Sequence, residues 1–239
     1  MIFVQHYSVE PEKLKKKKES SDKIKSENTT EEWGGYKKEL RLNLLELQKG
    51  LCAYCENSLC TELGCHIEHI EPQSSNPPLA YEYTNLILSC INSDSLRDAK
   101  VKVENGISCG HAKQNKFDAD LFIKPTFKDC ERYFWYKDNG EIVPNLQLNE
   151  DDVSKANYTI DSLRLNCNRL KREREQILVE GYNSILALIN KHDALDKFIE
   201  QQLSCLENGY LPSYINVRKQ HFQIYMTNST SKINKLAQE

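Results

Sequence analysis

Apolar positions recur at helical spacing in several stretches of the chain. Tyr36, Leu40, Leu44 and Leu47 share one face of a run from Tyr36 to Gln48, and Gly50 stands where that helix should stop. From Asp151 to the end the pattern stays helical. Ile160, Leu163, Cys167, Leu170 and Ile177 keep the spacing, and further helical stretches centre on Ile185 to Ile189 and on Tyr214 to Tyr225. Between these regions the period changes. Tyr133 to Val143 reads as a hairpin, with aromatic and β-branched runs on either side of Asp138, Asn139 and Gly140. Cys52 to Lys113 keeps neither period, is short of apolar residues, and holds most of the unusual chemistry. The first thirty residues begin apolar and then turn charged, with a basic run at Lys13 and Lys15 to Lys18. A solvated helix face or a loop is the plain reading of that run, and phosphate contact the sharper one. These segments divide the chain into a helical start (1–50), an irregular centre (51–118) and a hairpin followed by a helical region (119–239).

Composition narrows the class. The chain has 239 residues, 39% apolar and 28% charged, enough for a real core. No stretch approaches the roughly 20 apolar residues of a membrane span, and the start shows no basic-then-apolar leader. A cytoplasmic location is the default expectation. Nine cysteines in such a chain read as metal ligands rather than a disulfide frame. Cys130, Cys167 and Cys205 stand singly and are expected to be buried core thiols.

Cys52-Ala53-Tyr54-Cys55 is a C-x2-C knuckle able to offer two thiolates to one zinc. A structural Zn²⁺ takes four ligands, and Cys90 with Cys109 is the natural second pair. A frame using Cys60, Cys65 or His66 in place of one member is the alternative. A metal there would substitute for missing core, its binding energy becoming folding energy. Within the frame lie His66-Ile67-Glu68-His69-Ile70-Glu71-Pro72, then Asn85-Leu86, then Cys109-Gly110-His111-Ala112-Lys113.

Over Leu51 to Lys116 this combination resembles the HNH endonucleases. The resemblance implies an α+β chain, mainly helical, with a zinc-stapled ββα-metal nuclease core and a C-terminal helical region. It implies metal-dependent hydrolysis of phosphodiester bonds. His69 would be the general base, Asn85 would orient its imidazole by a hydrogen bond, and Glu68 with His111 would hold a catalytic Mg²⁺ or Mn²⁺. His66 and Lys113 are candidate substrate contacts, His66 being equally readable as structural and Lys113 as a solvated helix residue. The chain departs from the common pattern because Cys90 and Cys109 are far apart, which makes Asn92 a rival of His111 for the metal.

Charge adds a constraint. Cys52 to Lys113 carries eight acidic and four basic residues, a net −4, so the substrate phosphate must be held by other surfaces, such as the basic segment Arg164 to Arg174, or by a partner. The layout, with Cys130 to Tyr136 and Leu163 to Arg174 after the core, resembles the HNH subunit of Septu-type and retron-associated bacterial anti-phage systems, the PtuB family. That resemblance implies an ATPase partner of the PtuA type. A retron reverse transcriptase with its msDNA is a further candidate partner. Nucleic acid is the expected substrate, DNA before RNA. Partner docking is expected on the helical region after Asp151 together with the N-terminal segment, through aromatic residues such as Tyr210, Tyr214, Phe222 and Tyr225. The alternative reading is a zinc-stabilised module that binds nucleic acid or protein without cutting.

Overall fold

The computed structural model describes residues 1–23, 30–61, 64–91 and 106–226. It is an α+β protein: helices α1 (Glu12–Lys23) and α2 (Thr30–Leu47) precede an antiparallel pair, β1 (Cys65–His69) and β2 (Leu86–Cys90). The short helix α3 (Cys109–Lys113) and the hairpin β3 (Phe134–Tyr136) and β4 (Ile142–Pro144) follow. The chain continues as α4 (Glu150–Ser162), α5 (Asn168–Leu188), α6 (His192–Leu203) and α7 (Ile215–Phe222). No described helix is long and apolar enough to cross a membrane.

On α2 the expected stripe is the buried one. Tyr36, Leu40 and Leu44 face the core, and Leu47 packs against it partly buried. The helix ends as its sequence suggests. Lys49 and Gly50 both take left-handed backbone, and Gly50 N–H returns to the Leu45 carbonyl at 2.9 Å. A side chain at residue 50 would also strike the Tyr210 ring, 2.6 Å from the ideal Cβ. Just before this stop, Gln48 is buried and uses its amide as a strand would. Its Nε2 donates to the carbonyls of Leu51 and Leu88, and its Oε1 accepts from Leu88 N–H at 2.7 Å. This ties the end of α2 to β2, a strand buried along its whole length.

The core is continuous from Met1 to Phe222 and draws on all three sequence segments. At its centre the Glu56 carboxylate pairs with the Met1 ammonium and accepts from Tyr136 Oη, Asn216 N–H and Asn216 Nδ2. Burial alone would raise the Glu56 pKa, but the ammonium and these donors hold it below the usual range.

The second hairpin forms as its sequence pattern predicts. Gly140 at its turn lies against α5, where an added Cβ would come within 2.0 Å of the Lys171 carbonyl. Three expectations need correction. The helical spacing from Ile160 to Ile177 spans two helices, because Arg164 takes left-handed backbone and Leu165 N–H returns to Ile160. Cys205 is exposed, whereas Cys130 and Cys167 are buried. Tyr214 and Phe222 belong to the core and offer no docking surface. Asn92, the rival ligand, falls outside the described residues.

Gln48→Leu leaves the Leu88 N–H and carbonyl buried without that partner. The expected loss is about 2–3 kcal/mol of stability, read from the denaturation midpoint; an unchanged midpoint would rule out the clasp.

Candidate active site

The knuckle follows directly on the end of α2. Cys52 N–H bonds the Asn57 carbonyl, Glu56 N–H bonds the Cys52 carbonyl, and Glu56 takes left-handed backbone, so the turn folds on itself. Cys90 ends β2 and Cys109 opens α3. The four sulfur atoms of Cys52, Cys55, Cys90 and Cys109 lie within 4.8 Å of one another, all buried. Cys55 and Cys90 are 3.6 Å apart, close to the edge of about 3.8 Å that a tetrahedral site with metal–sulfur bonds of about 2.3 Å requires. These four can hold a metal ion; Cys60 is exposed, and Cys65 and His66 stand outside the cluster.

Burial pushes the Cys55 and Cys109 thiols up. It also opposes ionisation of Cys52, but hydrogen bonds from the other three cysteines outweigh it and pull Cys52 well below the ordinary thiol value. Arg169 brings compensating charge: its Nη2 lies 4.0 Å from Cys90 Sγ and 3.0 Å from Ser108 Oγ, while Nη1 reaches Glu173 at 3.1 Å.

The cluster holds the β1–β2 pair against α3. His66 and Glu68, two residues apart on β1, both meet that helix. The contact is possible because residue 110 has no side chain: a Cβ there would lie 2.6 Å from both Glu68 Oε2 and His66 Nε2. Gly110 N–H donates to Ser89 Oγ at 3.0 Å, fixing the start of α3 on β2.

Two imidazoles share one carbonyl. His66 Nδ1 and His111 Nε2 lie 2.8 and 2.9 Å from the oxygen of Ile91, whose backbone is left-handed. A carbonyl oxygen only accepts, so both nitrogens carry hydrogen, and in the neutral rings His66 Nε2 and His111 Nδ1 carry the lone pairs. The rings lie 4.2 Å apart. His66 Nε2 faces Glu68 Oε2 at 3.4 Å. A lone pair opposite a carboxylate calls for a proton or a cation between them. Burial would raise the Glu68 carboxyl, but His66 and the Lys113 ammonium outweigh it and keep it below the usual range. Burial, reinforced by His66, lowers the His111 imidazole below its ordinary 6.5.

Lys113 corrects an expectation. Its side chain is 0% exposed, and Nζ is spent on Glu68 Oε1 at 2.9 Å, the His69 carbonyl at 3.0 Å and the Gln114 carbonyl at 3.3 Å. A lysine buried this way supports Glu68 and cannot touch substrate phosphate. His66 is likewise placed on Glu68. Asn85 is the third correction: it makes no bond to His69. Its side chain accepts from Glu71 N–H and donates to the carbonyls of Glu71 and Leu79. It thereby shapes the 71–80 loop, and the loop supplies the Ala80 carbonyl, 2.9 Å from His69 Nε2. That bond leaves Nδ1 as the acceptor of the neutral ring, and His69 lines a cleft between β1 and α2. Of the basic segment Arg164 to Arg174, Arg164 and Arg172 are exposed, but Arg169 is partly buried against the cysteines, and Arg174 is 1% exposed and donates to the carbonyls of Gly140 and Leu165.

No protein-family model matches the chain. It is 33% identical over 171 residues to the HNH endonuclease of retron Vc95 from Vibrio cholerae serotype O1 biovar El Tor, covering 70% of this chain and 77% of that protein. The chain belongs to the retron HNH endonuclease family. It is also 25% identical over 173 residues to the HNH endonuclease of retron Ec83 from Escherichia coli, covering 61% of this chain and 67% of that protein. The protein is accordingly a nuclease. Three residues of this endonuclease site carried little signal in the sequence: Gly110, a small residue between two louder ones, and Ser89 and Arg169, which act only through contacts distant along the chain.

Two outcomes test the geometry. Gly110→Ala should cost about 1–3 kcal/mol through overpacking and depress cleavage, while Ala112→Gly in the same helix should cost only about 1 kcal/mol; equal effects would remove Gly110 from the site. Arg169→Met should speed the loss of cluster-bound metal to a chromophoric chelator, with Arg169→Lys between it and wild type. Unchanged release in both would dismiss charge compensation.

Proposed function

We propose that the protein hydrolyses phosphodiester bonds with a divalent metal at Glu68, His111 and His66, and with His69 as general base. The observation that carries this reading is the pair of imidazoles tied to the Ile91 carbonyl, one of them facing Glu68 across a gap that takes a proton or a cation. Glu68 stays anionic and His111 neutral near pH 7, the protonation states a Mg²⁺ or Mn²⁺ ligand set requires. A divalent ion held there supplies Lewis-acid polarisation of a phosphate oxygen when bound.

The protein's own groups do the rest. His69 Nδ1 takes the proton of the attacking water while Nε2–H stays anchored on Ala80, so the imidazolium that forms is held by a carbonyl dipole. Asn85 acts one step back, as a positioning residue, by keeping the 71–80 loop in place. Lys113 holds Glu68 from beneath. The four cysteines hold a structural zinc, the ion best suited to a closed tetrahedral set of four thiolates. The substrate is nucleic acid, DNA before RNA. The relatives are named for retrons, which supports a role in retron-based anti-phage defence with an ATPase partner. The exposed Val179, Leu186 and Ile189, along and just after α5, offer apolar surface for such a partner.

His69→Ala should lower the cleavage rate by about 10²–10⁴-fold with zinc content unchanged, and excess Mn²⁺ should not restore it. Glu68→Ala and His111→Ala should recover in part with excess Mn²⁺. Wild-type cleavage by His69→Ala would sink the mechanism. The metal site has a pH signature as well. Because the His111 imidazole is lowered below its ordinary 6.5 and a protonated ring cannot bind the ion, Mn²⁺ affinity should weaken as pH falls into the range where protons compete for the ligand imidazoles; paramagnetic-resonance titration of free Mn²⁺ reads this directly, and an affinity that does not change with pH would contradict imidazole ligation.

A further inference from the structure

We infer that the cleft between α2 and β1 seats the phosphate backbone of the substrate strand, with Lys37 and Arg41 as its phosphate-binding residues. This rests on the hydrolytic reading above and assigns the surface that holds the polyanion, which that reading leaves open.

The cleft has a volume of about 380 Å³ and is lined by His66 and His69 from β1, Lys37 and Arg41 from α2, and Gln73 and Tyr81. Lys37 and Arg41 are one helical turn apart on α2, about 5–6 Å between Cβ atoms, close enough to hold neighbouring phosphates of a single strand. Both are exposed, while Tyr36, Leu40 and Leu44 on the same helix are buried and fix its rotation.

Charge chooses this cleft over its neighbour. The segment from Cys52 to Lys113 carries a net −4, and its buried cations are already committed inward. None of the described residues lining the α2–β1 cleft is acidic. The adjoining cleft, reached past the 71–80 loop, is lined by both Glu71 and Glu82. In that cleft Lys124 lies 3.8 Å from Glu71 and Lys18 pairs with Glu82, so its charges are largely balanced, whereas the described lining of the α2–β1 cleft has cations and no carboxylate. Such contacts position a strand without reading its bases.

The test separates binding from chemistry. In a His69→Ala background without added divalent ion, binding of fluorescein-labelled oligonucleotides is followed by anisotropy over a range of KCl concentrations. Duplex DNA, single-stranded DNA and an RNA hairpin form the three arms and show which backbone the cleft prefers. Lys37→Gln and Arg41→Gln should each lower the slope of log affinity against log salt by about one, and the double change by about two. Lys37→Arg with Arg41→Lys should retain it. Lys38→Gln removes the same charge from α2 outside the cleft and should leave the slope unchanged. With His69 intact, the double glutamine variant should raise KM and spare kcat. An unchanged slope in the double variant, an equal effect of Lys38→Gln, or no binding by the His69→Ala protein overturns this assignment. Failure of the hydrolytic reading would show separately, as wild-type cleavage by His69→Ala.

Discussion

Four thiols packed in one buried cluster are the constraint on which the nuclease centre depends. Four thiolates could share this dry site only with a cation to neutralise them, so a metal bound there would couple its binding to the folding of this region. The cluster gathers the four points the site needs: two cysteines from the turn after α2, one from the end of β2 and one from the start of α3. Fixing Cys90 and Cys109 side by side sets the height of α3 over the strands. Gly110 then closes on Glu68 and His66, and the Ile91 carbonyl, one residue beyond Cys90, reaches both imidazoles.

Around that cluster the charges divide by direction. The Met1 ammonium answers Glu56, Lys113 answers Glu68, and Arg169 lies against the thiols. Each is a cation spent on an internal anion. An acidic nuclease segment therefore remains compatible with a phosphate substrate, provided that outward-facing cations come from elsewhere in the fold. Helix α2 is placed to supply them, since its apolar stripe anchors it against β2 through Gln48 while Lys37 and Arg41 turn to the cleft.

Much of this was legible in the sequence where the signal is local. The α2 stripe and its stop at Gly50, the hairpin around Asp138 to Gly140 and the cysteine knuckle each depend on spacing within a few residues, and each is found in the fold. The pairing of the knuckle with Cys90 and Cys109 was also readable, because those two cysteines flank the motifs. What failed depends on contacts between distant segments. Lys113 at a helix end looks solvated in sequence, but Glu68 comes from a strand 45 residues away and buries it. Asn85 and His69, read together in the sequence, suggest a direct bond, yet the loop between them intervenes and takes the amide for itself. Arg164 to Arg174 reads as one basic surface, but the thiols and the hairpin turn take Arg169 and Arg174 inward and leave only Arg164 and Arg172 exposed among its arginines.

The central claim is that a divalent ion sits between His66, Glu68 and His111, apart from the ion in the cysteine cluster. Anomalous diffraction from crystals grown with Mn²⁺, recorded on both sides of the zinc and manganese edges, locates each metal by element. The account predicts a zinc peak among Cys52, Cys55, Cys90 and Cys109, and a manganese peak bounded by His66 Nε2, a Glu68 oxygen and His111 Nδ1. Manganese bound at other residues, with His66 and Glu68 still joined directly, would contradict it.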